Sequence, residues 1–172
     1  YMLQIGTFPG ATGGTGSFDI TAFTPAANDD CSNPTAISGT GTFSFDNSAA
    51  TTGAEGQNEF ICYEFSTSAV ETDVWFAWTA PSNDMFRVQT CGGFVDTKIA
   101  AYLGTGCPTV GSALICNDDN FGTFQSMIQF AVVSGNIYSL QIGTWPTGSG
   151  TGVSNGTGRL STNAAASSAV AP

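Results

Sequence analysis

The sequence predicts an all-β protein: an antiparallel β-sandwich of jelly-roll type, preceded by an additional amino-terminal β-hairpin or strand segment. Short β-rich runs recur along the 172 residues with turn signals between them. No stretch shows the 3.6-residue apolar period of an amphipathic helix. The motif Tyr1-Met2-Leu3-Gln4-Ile5-Gly6-Thr7 returns as Tyr138-Ser139-Leu140-Gln141-Ile142-Gly143-Thr144, with an aromatic residue and a proline after each copy (Phe8-Pro9, Trp145-Pro146). The two copies lie about one small β domain apart, so residues 1–24 read as the closing strands of a preceding repeat, or as a donor strand.

The runs are 2–5 and 16–23 in the leading segment, then 41–45, 74–79, 86–89, 98–102, 113–115, 126–132 and 137–142. Alternation is clear in Thr42-Phe43-Ser44-Phe45 and in Met127-Ile128-Gln129-Phe130-Ala131-Val132, the signature of strands with one buried face. Val74-Trp75-Phe76-Ala77-Trp78 is aromatic throughout and suits a central strand. Ser134-Gly135-Asn136 reads as a tight turn, and the Gly-rich stretches 12–16 and 147–158 as loops before a last strand. Gly14-Thr15-Gly16 with Phe18 and Ile20 matches Gly156-Thr157-Gly158 with Leu160 and Thr162, so the repeat continues beyond a longer second loop. The domain division that follows is a closing or donor segment at 1–24, a sandwich at 25–162, and a linker or tail at 163–172. The assembly strand would present Met2, Leu3, Ile5, Phe8, Phe18, Ile20 and Phe23.

Three basic residues stand against thirteen acids, for a net charge of −10. With no basic stripe to neutralise phosphates, nucleic-acid binding is excluded. Only 9% of residues are charged, so solubility rests on uncharged polar side chains, as in many secreted β proteins. No apolar run approaches the roughly 20 residues of a membrane helix. Tyr1 is not an initiator Met, and the chain reads as a mature or excised extracellular form.

Five cysteines, no histidine and no CxxC pair point to disulfides rather than zinc. Cys107 and Cys116, on either side of a turn-rich stretch, are expected to bridge two neighbouring strands. One pair is expected among Cys31, Cys62 and Cys91, with the remaining thiol buried and inert in the favoured reading and bridged to another molecule in the alternative.

Two acidic clusters are candidate cation sites. The first is Asn28, Asp29 and Asp30 with Glu71 and Asp73; the second, weaker, is Asp96, Asn117, Asp118 and Asp119. Adjacent carboxylates repel, and calcium takes six to eight oxygen ligands of the kinds these loops supply. The competing reading is that Asx-rich loops bond to their own backbone. Without histidine, nucleophile activation and most general-base chemistry lack their usual agent, so no catalytic residues are assigned. Trp145, beside a proline in a loop, is the candidate exposed ring for ligand contact, and Asn155-Gly156-Thr157 is a glycosylation sequon.

The succession NDDC (28–31), TDVWFAWTAP (72–81), TCGGFVDTKIAAY (90–102), LICNDD (114–119) and YSLQIGTWP (138–146) resembles the bacterial pre-peptidase C-terminal domain family, in its Cys-containing secreted tandem form. The resemblance covers about 26–162. It implies kinship with the non-catalytic, calcium-binding collagen-binding domains of bacterial collagenases. By position, Asn28, Asp29, Glu71 and Asp73 would inherit the calcium role. The favoured expectation is therefore a non-catalytic extracellular structural module, a repeat or subunit of a surface protein or filament that assembles with other copies by donating its leading strand. The alternative is an accessory module of a secreted hydrolase that binds a polysaccharide or a fibrous protein.

Overall fold

The computed structural model describes residues 1–92, 95–120, 122–146 and 157–165. Over these it is a sandwich of two sheets with almost no helix. The strands are β1 (Thr35–Ser38), β2 (Gly41–Asp46), β3 (Glu71–Thr79), β4 (Asp84–Cys91), β5 (Thr97–Leu103), β6 (Ala113–Asn117), β7 (Met127–Val132), β8 (Ile137–Thr144) and β9 (Thr157–Ala164), with a 3-10 turn at Phe60–Cys62. One sheet runs β1-β3-β8-β5-β6, and the other β2-β9-β4-β7. All pairings are antiparallel except β1 with β3, so the first sheet is mixed. No helix among the described residues is long and apolar enough to cross a membrane.

The period-2 pattern of each strand sends one set of side chains between the sheets. Val74, Phe76 and Trp78 of β3, Ile99 and Ala101 of β5, and Tyr138, Leu140 and Ile142 of β8 meet Phe86, Val88, Ile128, Phe130 and Leu160 of the other sheet. Trp78 packs at 5.2 Å from Phe86, and its indole N–H donates to the Gly39 carbonyl at 2.8 Å, so burial leaves no orphan donor. The opposite face of the first sheet is covered too. There Trp75, Ala100 and Tyr102 form a second cluster with Cys31 and Cys62, beneath a long excursion between β2 and β3. This explains why β5 and β8 read as near-continuous buried runs.

The cysteines pair differently from the sequence-based expectation. Cys31 bonds Cys107 and Cys62 bonds Cys116, across 76 and 54 residues, leaving Cys91 free and half-buried. Cys107 lies in the β5–β6 loop rather than on a strand, where it meets the segment leading into the domain. Cys116, opposite Ala100 on β5, faces the covering excursion and its Cys62. Cys62–Cys116 therefore staples the covering excursion to the outer face of the first sheet, and Cys31–Cys107 ties the entering segment to the β5–β6 loop. In the chain-entropy account, closures of this length contribute about 4 kcal/mol each.

The leading segment forms no hairpin within the chain. Residues 1–25 are exposed throughout and contain a single turn, in which Ala11 N–H donates to the Phe8 carbonyl at 3.0 Å. The physical reason lies in its counterparts. β8 and β9 do not pair with each other: β8 sits between β3 and β5 in one sheet, and β9 between β2 and β4 in the other. The repeat thus corresponds to two strands that lie in different sheets. β9 also extends to Ala164, so residues 163 and 164 belong to the sandwich rather than to a tail. Residues 166–172 and Asn155 of the sequon lie outside the described residues.

Candidate functional site

Antiparallel register brings Glu71, Asp73, Asp96, Asp118 and Asp119 to one end of the sandwich. There Glu71 pairs with Thr144 and Thr144 with Thr97, while Ile99 pairs with Asn117 and Gln89 with Met127. Residues before β3 and β5 and after β6 consequently share that end.

In the first cluster the side chains of Asn28, Asp29, Asp30 and Asp73 are engaged by protein donors and acceptors. The Asn28 amide donates to the Trp75 carbonyl at 2.9 Å, and Trp75 N–H returns a bond to the Asn28 carbonyl at 2.9 Å. Asp29 accepts from Thr51, through its backbone N–H at 2.5 Å and its hydroxyl at 2.8 Å. Asp30 accepts from Ser32 N–H at 2.8 Å, a bond that holds its carboxyl below the usual range, and it lies against the Cys31–Cys107 disulfide. Asp73 is fully buried and accepts from Gly53 N–H at 3.4 Å and the Gln141 amide at 3.0 Å. Burial outweighs those bonds and pushes its pKa up to about 6. Glu71, half-buried, accepts the Thr144 hydroxyl on its backbone carbonyl at 3.2 Å.

The second cluster is built differently. Oxygens of Asp96, Asp118 and Asp119 lie within 4.8 Å of one another. Asp118 is 1% exposed, and neither of its carboxylate oxygens has a hydrogen-bond partner; Asp119 Oδ1 is likewise buried and unpartnered. The fully buried Lys98 ammonium stands 3.7 Å from Asp118 Oδ2 and donates to the Thr67 carbonyl at 3.2 Å. Burial is the largest influence on all of these groups. It raises Asp118 to about 7, aided by Asp96, Asp119 and Glu64 against the attraction of Lys98. It also raises Asp96 and Asp119, and lowers Lys98 against the pull of Asp118 and Glu64. Asn117 serves the backbone: its amide donates to the Asp119 carbonyl at 3.2 Å and its oxygen accepts Met127 N–H at 2.9 Å.

Two acids on the covering excursion were not singled out from sequence. Glu59, 2% exposed, accepts Gly111 N–H at 3.0 Å on each oxygen, and Glu64 accepts Asp118 N–H at 2.8 Å. Both are clamps on the β5–β6 connection and on the loop after β6. The available signal was two acids flanking Cys62 in a chain otherwise poor in charge. The excursion also carries Phe60, Ile61, Tyr63 and Phe65, all exposed. Phe65 and Ser66 are both left-handed, at φ 45° and 76°, inside a tight turn in which Glu64 and Thr67 exchange backbone hydrogen bonds.

Trp145 differs from the exposed ring that was expected. It is half-buried, its N–H donates to the Asp96 carbonyl at 3.2 Å, and its indole nitrogen is buried without a partner. Trp75 and Trp78 are core residues. A cleft of about 680 Å³ opens beside β1 and β2, lined by Asn28, Phe45, Asp46, Phe76 and Arg159 among others.

A family model described as galactose binding domain-like, of the T9SS-associated group, matches residues 27–151. No curated protein matches the chain by sequence. Among solved structures, the chain is similar to the pre-peptidase C-terminal domain of a collagenase from Bacillus anthracis, at 11% identity over 76% of this chain and 94% of that one, with a TM-score of 0.46. It is also similar to PliG of Aeromonas hydrophila, a periplasmic inhibitor of g-type lysozyme, at 14% identity over 75% and 96% with a TM-score of 0.40. A third is CorA, a surface-associated copper-binding protein of Methylomicrobium album BG8, at 9% identity over 77% and 98% with a TM-score of 0.43.

Proposed function

The chain belongs to the T9SS-associated galactose-binding-domain-like family, a family of secreted or extracellular proteins, and from that premise we propose that it is a non-catalytic structural module working head-to-tail with like domains. In this reading residues 1–22 supply the β8 and β9 positions of a neighbouring domain. One observation carries it. Leu140, Ile142 and Leu160 are each 0% exposed, whereas the residues that match them, Leu3, Ile5 and Phe18, are 71%, 67% and 60% exposed. Apolar side chains so consistently matched to a core, and so consistently outside one, have their burial site elsewhere. Each contributes about 1.5–3 kcal/mol on burial, before the cost of ordering the segment.

Each copy of the chain already fills its own β8 and β9 positions. The acceptor is therefore either a preceding repeat that lacks these strands or a copy that has exchanged them, and in both cases the contact is one of strand complementation. Light scattering on the whole chain and on a variant lacking residues 1–23 tests this. Assembly lost on deletion supports the reading, and assemblies with the same number of copies for the two would refute it.

A second reading is favoured by the exposed aromatic excursion. Phe60, Tyr63 and Phe65 suit a stacking surface for a polysaccharide or a fibrous protein better than the half-buried Trp145 does. It requires a glycan or collagen ligand whose binding is lost on Tyr63→Ala or Phe65→Ala and retained on Trp145→Phe.

A further inference from the structure

We propose that Asp96, Asp118 and Asp119 form a divalent-cation site suited to calcium, independent of the head-to-tail contact. Their oxygens already converge within 4.8 Å. The observation that points to a ligand is Asp118, which is 1% exposed and has two carboxylate oxygens without a hydrogen bond, together with the unpartnered Oδ1 of Asp119. Buried acceptors in folded proteins are satisfied by protein donors, water or ions, and among the described residues no donor lies within hydrogen-bond distance of these oxygens.

Lys98 does not fill that role. Its ammonium stands 3.7 Å from Asp118 Oδ2, beyond hydrogen-bond reach, and is directed to the Thr67 carbonyl. The charges facing one another from the surrounding elements are Asp96 and Lys98 from β5 and the residues before it, Asp118 and Asp119 from the loop after β6, and Glu64 from the covering excursion. Four carboxylates against one ammonium leave an excess of negative charge that a divalent ion would largely neutralise.

The frame is pre-organised. Asp118 N–H is held by Glu64 at 2.8 Å, its carbonyl accepts the Ser126 hydroxyl, and the Asp96 carbonyl takes Trp145 N–H at 3.2 Å. β5 and β6, which carry the ligands at their ends, are paired neighbours.

Donor chemistry selects the ion. The chain has no histidine, and its free thiol, Cys91, lies on the other sheet, so the donors are all oxygen. Three carboxylates supply up to six oxygens, which with water suits the six to eight that calcium takes at flexible geometry. Bound there, calcium would tie residues 96–98 to 118–119 beneath the 64–67 turn.

Calorimetric titration of chelator-stripped whole chain with calcium chloride, with thermal unfolding in parallel, tests the proposal. One ion per chain and a raised melting temperature are expected. Asp118→Asn alters a fully buried group and risks the fold, so Asp96→Asn and Asp119→Asn, at half-buried positions, carry the test. Each should weaken binding at least about tenfold, since affinity in oxygen sites follows ligand charge. Asp29→Asn should leave binding unchanged. Absence of both heat and thermal shift in the unmodified chain would overturn the site. So would binding that survives both substitutions and is lost with Asp29→Asn, which would place the ion at the first cluster.

Discussion

Gly143 and Gly6 occupy matching places in the two copies of the motif, yet their surroundings are opposite. A Cβ on Gly143 would lie 2.5 Å from the Glu71 carbonyl oxygen and 2.7 Å from Val70, whereas one on Gly6 would meet nothing within 4 Å. Gly143→Ala should therefore destabilise the domain by about 2 kcal/mol, since a backbone oxygen cannot move aside cheaply. Gly6→Ala should leave the melting temperature unchanged and weaken assembly, because only in a neighbour's sheet would that position become crowded. Asp73 gives a second prediction at this scale. Burial raises its pKa from 3.8 to about 6, so between those values the folded state binds more protons than the unfolded one, and stability falls as pH rises. Asp73→Asn removes that contribution. Denaturation at pH 4 and pH 7 should show the unmodified chain losing on the order of 2–3 kcal/mol relative to the variant. The residues of this site were only half legible in sequence. Asp118 and Asp119 stood out as neighbouring acids, but the orphaned state of Asp118 follows from a register that places it under Glu64 and against Lys98.

At the scale of elements, the covering excursion is held by Cys62–Cys116 and by the carboxylates of Glu59 and Glu64, more than by regular secondary structure. Replacing Cys62 and Cys116 with serine should open residues 50–70 to limited proteolysis and lower stability by about 4 kcal/mol, while the inter-sheet core keeps its far-ultraviolet spectrum. Ser66→Gly should stabilise the 64–67 turn by about 1 kcal/mol, because the left-handed conformation is costly for any residue with a Cβ. Which elements were readable follows from how each is buried. β3 announces itself through Val74-Trp75-Phe76-Ala77-Trp78, since both of its faces are covered. β1 has one half-buried apolar residue, Ile37, and is held by parallel pairing to β3; β9 is central through its neighbours, with Leu160 its only large apolar side chain. Pairing context of that kind leaves no periodicity to read. The disulfides were misassigned because Cys107 lies in a loop, and loop trajectories are not encoded in strand alternation.

At the scale of the whole molecule, two central strands close the domain, β8 in one sheet and β9 in the other, and the exposed leading segment repeats the β8 sequence and part of that of β9. The duplication was evident in sequence. Its reading depends on the topology, because a hairpin would cap one sheet edge, whereas a donated β8–β9 pair would require a whole sandwich as its acceptor. Amide hydrogen exchange on the assembled protein, resolved over residues 1–22, tests this most directly. The account predicts that residues 1–7 and 15–22 become protected on assembly to the degree seen in β8 and β9, while the 8–14 connection continues to exchange freely. Assembly with residues 1–22 still exchanging at the rate of an unstructured chain would contradict it.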